Sequence, residues 1–327
     1  MKLDLRFEIL FLRLKHMPEL PEVQTIVSDL QKILPGLKIA DVETDWKKMF
    51  KNISFENFKK QVSGEKILDV RRFGKNILID LSGGKTILVH QKMTGHFLYG
   101  KWEMVTPPVA GEARWLGKEA GAIRDDPQNR FIHLVFDLSN GPLRSEASKQ
   151  LALSDLRKFA KVLLWPTNKL SELKDINNLG PDPTAEGFDF NKFQERLAPL
   201  TAGLAGKKGK IKTVLMDQSV FAGIGNIYSD EILWLAGIHP LRQVSSLTQE
   251  EMKSIFTSTK KILKKAIEAR GTSDSDYRDT SGNKGGYQNM LYVYGLEGEK
   301  CQKKDGGIIT RLKVGGRSAH FCPVHQK

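Results

Sequence analysis

A proline followed at once by a glutamate, with a second glutamate three residues further on, opens the stretch PELPEV at residues 18–23. If Met17 is an initiator that is removed, Pro18 carries a free secondary amine. An α-amine titrates near ~8, so an appreciable fraction is unprotonated at neutral pH. Such an amine can attack a sugar C1′ and form an iminium, and Glu19 beside it can pass protons to a leaving group or an opening ring. Taken alone, the same residues are an ordinary helix start, with proline in the first turn and acids favouring the dipole. The run GIGN at 223–226 permits a tight turn and close backbone approach, followed by a helix N-terminus able to hold a phosphate. Cys301 and Cys322 both fall in the last 27 residues, beside His320 and His325, and raise the question of a metal.

These residues need elements to hold them. Val23, Ile26, Val27, Leu30 and Leu34 form one helical stripe after PELPEV, stopped by Pro35-Gly36. LKIADVET, EKILDVRRFG, KNILIDLS, KTILVHQKM, FIHLVFDLS and KFAKVLLW read as strands. They predict a β-rich half reaching to about Trp165, a sandwich or flattened barrel with one helix. Residues 100–130 read as an inserted surface loop, and NGPLRSEASKQLA as a second irregular segment. Residues 170–184 are polar and Pro-bearing, as in a linker. The second half is helical at FDFNKFQERLA, IKTVLMDQ, SDEILWLAG and TQEEMKSIFTSTKKILKKAIEAR. A Gly/Ser/Asp-rich loop, GTSDSDYRDTSGNKGG, then leads to a terminal β-hairpin.

Charge narrows the partner. Among 327 residues, 51 Lys and Arg face 38 acids, a net +13. That balance points to a polyanion, with nucleic acid ahead of an anionic membrane because no basic amphipathic anchor stands out. No stretch approaches the roughly 20 apolar residues of a membrane span. Two cysteines argue against a disulfide framework and fit a reducing cytoplasm. The first sixteen residues carry charges throughout and lack a secretory signal's apolar core. They are expected to be a short extension, processed away or read from too early a start.

From Met17 to Lys327, with the two irregular segments interrupting it, the chain resembles the bacterial formamidopyrimidine-DNA glycosylase (Fpg) group of the Fpg/Nei superfamily. PELPEV is similar to the Fpg opening, whereas Nei-type relatives usually begin PEGPE. The resemblance implies a bifunctional glycosylase and AP lyase of base excision repair, acting as a monomer on damaged double-stranded DNA in the cytoplasm. Its substrates would be oxidised purines, and its cleavage β,δ-elimination. Pro18 would be the Schiff-base nucleophile, Glu19 the general acid/base and Glu22 an orienting acid of the pocket. Lys75, by itself an ordinary strand lysine, would act in β-elimination and touch phosphate. Met93 in HQKMTGHF would enter the space left by an extruded base. Arg157 and Phe159 in DLRKFA match the arginine facing the widowed base and the unstacking wedge, although the family writes this motif DPRRFG. Expelling a nucleotide costs about a few kcal/mol, which such wedges offset. LMDQSVFAGIGNIYSDEILWLAGIHP resembles the family's helix–two-turn–helix, making Asn226 a phosphate ligand supported by Tyr228. Lys207 would be a DNA contact and Lys212 a packing or phosphate residue. The loop after Arg270 is similar to the lesion-capping loop, and its composition suits a segment that orders only around a flipped base. His133 is read as packing on its strand face.

The tail resembles the family's zinc-finger hairpin, normally two C-x2-C pairs. Here the pairs read Cys301-Gln-Lys-Lys-Asp305 and Cys322-Pro-Val-His325. One zinc ion on Cys301, Asp305, Cys322 and His325 is the reading adopted, a metal-free hairpin its alternative, and His320 a bystander. Arg317 matches the arginine associated with phosphate contact and δ-elimination. The expected class is thus α+β: an N-terminal β-sandwich with an N-terminal helix, a helical helix–two-turn–helix domain, and a zinc-finger-like β-hairpin. The expected divisions are an extension over 1–16, the sandwich over 17–168, a linker over 169–184, the helical domain over 185–290 and the hairpin over 291–327. Two rivals remain. If residues 1–17 are retained, Pro18 is locked in an amide and the chain is a silent binder of damaged DNA. Alternatively, it is a Nei-like enzyme for oxidised pyrimidines.

Overall fold

The structure, a computed structural model, describes residues 17–106, 114–140, 149–201, 209–273 and 276–327. Helix α1 (Leu20–Ile33) begins on Glu19, whose backbone N–H donates to Glu22 Oε2 at 2.8 Å and closes a capping box. Its apolar stripe is wholly interior: Val23, Ile26, Val27, Leu30 and Leu34 are each at most 2% exposed.

That stripe packs into the core of an antiparallel β-sandwich. One sheet runs β1 (Lys38–Thr44), β8 (Ile132–Ser139), β9 (Gln150–Asp155) and β5 (Gly95–Gly100). The other runs β10 (Lys161–Pro166), β4 (Lys85–His90), β3 (Asn76–Leu81) and β2 (Ile67–Phe73). Alternate residues such as Ile77, Ile79, Ile87 and Val89 fill the space between the sheets with Phe97, Phe136 and Leu153. Helix α2 (Phe55–Val62) adds Phe58 and Val62 to the same core.

The described residues of 100–130 depart from the surface loop expected of them; 107–113 lie outside the described set. A hairpin of β6 (Trp102–Val105) and β7 (Arg114–Gly117) buries Trp102 and Trp115 against Leu98, Ile132 and Val135. A single helical turn (Ala122–Asp125) and a 3-10 turn (Pro127–Arg130) follow. Two tryptophans bury enough area to fasten strands of only four residues, too short for a period-two signal. The second irregular segment falls mostly on 141–148, outside the described residues.

The segment read as a linker is tied down. Asp182 and the Thr184 hydroxyl both accept from the Arg72 guanidinium, which also donates to Gln24 on α1. Beyond it, α3 (Phe190–Thr201), α4 (Ile211–Met216), α5 (Asn226–Ala236) and α6 (Gln249–Glu268) enclose a second core around Phe193, Phe221, Ile232 and Leu263. Leu20, from α1, belongs to that second core. The chain ends in a hairpin of β11 (Thr310–Val314) and β12 (Arg317–Phe321). Among the described residues, no helix is long and apolar enough to cross a membrane.

Candidate active site

Glu19 sits where the two cores meet. Its carboxylate accepts backbone N–H groups from Gly225 at 2.8 Å, Ile227 at 2.9 Å and Tyr228 at 3.3 Å, the N-terminal amides of α5. The turn before α5 is shaped to admit it. A Cβ on Gly225 would fall 2.3 Å from Glu19 Cδ, and one on Gly223, at φ +102°, would strike the Leu20 side chain. Only glycine leaves room for this contact. The Gly223 carbonyl accepts the Leu20 amide at 3.0 Å, so the GIG turn clasps the start of α1.

Glu22 completes the pair. Its Oε1 accepts from the Tyr228 hydroxyl at 2.5 Å and the Thr272 amide at 2.7 Å, and its Oε2 holds the Glu19 amide. Both carboxylates are nearly sealed, at 3% and 2% exposure. Burial raises the pKa of Glu19 against the opposing pull of Lys75 and the three amides. Burial and the charge of Glu19 lift Glu22 to about 7. Two interacting buried carboxylates share protons as a pair, so protonated carboxyl is present at neutral pH.

Lys75 stands in the two-residue turn between β2 and β3, where Phe73 pairs with Asn76. Desolvation lowers its pKa, Glu19 and Glu22 pull it back up, and Arg317 lowers it further. Lys75 therefore lies within the electrostatic reach of both carboxylates and of Arg317, which is exposed at the start of β12. Pro18 is buried directly before Glu19. Pro18, Glu19, Glu22, Lys75 and Arg317 are thus gathered from both halves of the chain.

A second group projects from the sandwich. Asp155, 1% exposed, accepts the Thr94 hydroxyl and the amides of Arg157 and Ala160, which shapes the 155–160 turn. That turn brings the Arg157 guanidinium 3.1 Å from Met93 Sδ and stacks it 4.6 Å from the centroid of Phe159. Phe159 is 49% exposed, an apolar ring held out into solvent. Lys92 and Lys158, beside Met93 and Phe159, adopt the left-handed conformation at φ +57° and +56°. Nearby, burial first, then the charges of Lys92, Lys75 and Lys161, push His90 down to about 3. The ring is therefore neutral, and of the three lysines Lys161 is itself paired with Asp175.

Tyr228 corrects an expectation. It is fully buried and gives its hydroxyl to Glu22, so it shapes the carboxylate pair rather than supporting a phosphate contact. Asn226 is half-buried at the first position of α5, and its side-chain oxygen has no hydrogen-bond partner. Lys212, 0% exposed, pairs with Asp230 inside the helical core, which makes it a packing residue. His133 lies 2.8 Å from Asp45 through Nδ1. Lys207 lies outside the described residues. Segment 271–287 is packed rather than loose, with Asp276, Tyr277, Arg278, Asp279 and Thr280 at 3–6% exposure; residues 274–275 are outside the described set.

At the hairpin, donor atoms of Cys301, Asp305, Cys322 and His325 all lie within 4.8 Å of one another. Cys301 Sγ is 3.6 Å from His325 Nδ1, and Cys322 Sγ is 3.6 Å from Asp305 Oδ2. A tetrahedral ion bonded at ~2.0–2.3 Å asks for such spacings. His325 Nε2 lies 3.2 Å from the Trp234 carbonyl, a contact that leaves Nδ1 to face the other three donors. The set fits a metal. His320 instead binds Asp230.

Two family models match the chain. Residues 17–162 match the formamidopyrimidine-DNA glycosylase N-terminal domain, and 179–277 its H2TH domain. A formamidopyrimidine-DNA glycosylase of Pelotomaculum thermopropionicum is 39% identical over 311 residues, 95% of this chain and 99% of that protein. The chain belongs to the formamidopyrimidine-DNA glycosylase family. The relative from Lactiplantibacillus plantarum is 34% identical over 95% of this chain and all of its own length. Among solved structures, Lactococcus lactis Fpg bound to DNA with an abasic site superposes with a TM-score of 0.75 at 33% identity, covering 94% of this chain and 99% of that one. A complex of MutM with DNA containing carbocyclic 8-oxo-G gives 0.74 at 32% identity, covering 95% and 100%.

Proposed function

We propose that this chain removes oxidised purines, 8-oxoguanine and formamidopyrimidines, from double-stranded DNA and then cuts the strand through a Schiff base on Pro18, working as a cytoplasmic monomer. The carrying observation is Glu19: it adjoins Pro18, is locked by three amides of α5, and holds a raised pKa. A carboxyl so placed is suited to pass a proton to the reacting sugar. In this reading the Pro18 nitrogen bonds to C1′ while the glycosidic bond breaks, and the departing base takes up the proton that the Pro18 nitrogen gives up. Glu19 protonates O4′ as the ring opens, leaving an iminium. Loss of a C2′ proton then expels the 3′ phosphate, and a second elimination the 5′ phosphate; Lys75 and Arg317 serve these steps.

Met93, Arg157 and Phe159 would occupy the gap left by the extruded nucleotide, while Asn226 and Lys207 would hold phosphates. Zinc would be held by Cys301, Asp305, Cys322 and His325, where its role is to fix the hairpin that carries Arg317. The domain divisions given above are part of the proposal. So is a mature chain beginning at Pro18, a start supported by the N-terminal family match beginning at Met17.

Borohydride trapping tests the reading. Protein starting at Pro18 should form a covalent adduct with 8-oxoguanine and abasic duplexes, and protein retaining residues 1–17 should form none. Failure of the Pro18 form to trap would leave only a binder of damaged DNA. Trapping confined to oxidised-pyrimidine duplexes would move the chain to the Nei-like class.

A further inference from the structure

The loop after α6 grows directly out of the carboxylate pair. Thr272 donates its amide to Glu22, and its hydroxyl lies 3.1 Å from that of Tyr228. The chain runs out through Arg278–Thr280 and returns at Tyr287, whose amide donates to the Gly271 carbonyl at 3.0 Å. Under the glycosylase reading proposed above, a base leaving the sugar carbon attacked beside Glu19 would pass this wall.

The far side of the wall is fastened by residues from 99–129. Arg278 grips Asp126 with two donors, Nε at 2.7 Å and Nη2 at 3.2 Å, and its side chain is 4% exposed. Asn129, 1% exposed, donates through Nδ2 to the carbonyls of Ala122 and Gly282 at 2.8 and 3.1 Å. With both donors used, its Oδ1 accepts from His96 Nε2 at 2.9 Å. Burial first pushes His96 down to about 4, so the ring is neutral and supplies that one N–H. The Tyr99 amide adds a bond to the Thr280 carbonyl at 2.8 Å. The other flank is held by Asp29 of α1, which accepts from Arg270 and from the Thr280 hydroxyl.

We propose that Asp126 and Asn129 are positioning residues for base excision, anchoring the 276–283 stretch so that the wall beside Glu22 stands formed before a lesion arrives. Ordering a loop costs conformational entropy at every residue fixed. A wall already fastened spares that cost when the base enters, and the saving acts on the step that involves a base. An abasic sugar has nothing to lay against the wall, so its cleavage is indifferent to the anchor. The inference rests on the glycosylase reading above.

Asp126→Asn should slow single-turnover release of 8-oxoguanine by about tenfold, the scale of a weakened hydrogen bond to a charged group, and Asn129→Ala, which leaves the buried Ala122 and Gly282 carbonyls without their donor, by a similar factor. Strand cutting at a preformed abasic site should stay within about twofold. The paired exchange Asp126→Arg with Arg278→Asp should recover part of the excision rate. Amide hydrogen exchange at Tyr99 and Asn283 should quicken in both single variants. An excision-to-cutting ratio equal to wild type, or a parallel fall in both rates, overturns the proposal. If wild-type protein traps no DNA, the glycosylase reading fails on its own. The exchange measurement still tests the anchor, and unchanged protection in the variants sinks it.

Discussion

At Glu22 two influences act together: burial, and the neighbouring charge of Glu19, raise its pKa to about 7. A carboxyl with a raised folded pKa binds more protons in the native state than in the unfolded chain over the intervening pH range. Its contribution is fully present below about 4.5 and is lost as pH rises through about 7. Glu22→Gln, which cannot ionise, should therefore flatten the fall in thermal stability between pH 5 and pH 8. The difference from wild type should reach on the order of 3 kcal/mol. Identical pH profiles for the two proteins would remove the charge argument. The acids themselves were legible in PELPEV. Their partners were not, because Tyr228 and Thr272 lie 206 and 250 residues away and no local period records that contact.

Helices and strands were legible wherever periodicity ran long enough. The stripe of α1, the sandwich strands and α6 follow their patterns, and GIGN opens a helix as its glycines imply. The β6–β7 hairpin escaped because four-residue strands of mixed charge give no alternation, and only burial of Trp102 and Trp115 reveals them. At the terminal hairpin, Cys301, Asp305, Cys322 and His325 were already legible as one candidate set, and folding brings their donor atoms within 4.8 Å of one another. A carboxylate is a harder donor than thiolate, so this set should bind zinc less tightly than one with a third sulfur. Asp305→Cys should retain zinc at least about tenfold more strongly against a competing chelator, read by metal analysis of the protein. Equal retention in the two proteins would mean that Asp305 is not a ligand.

Across the whole molecule, the net charge of +13 favours the approach of a polyanion such as DNA. Binding through about six phosphates should weaken roughly a thousandfold between 50 and 200 mM salt. A nearly flat titration would refute phosphate-driven binding. The clasp of Glu19 by the turn at 223–225 has a consequence for synthesis. A chain leaving the ribosome displays its proline, its acids and Lys75 long before Gly225 has been made. Until the second half folds back, the acid next to the proline lacks its cradle of amides, and Arg317, supplied by the hairpin, has yet to arrive. Under the proposed function, chemistry on DNA would therefore wait for the finished polypeptide.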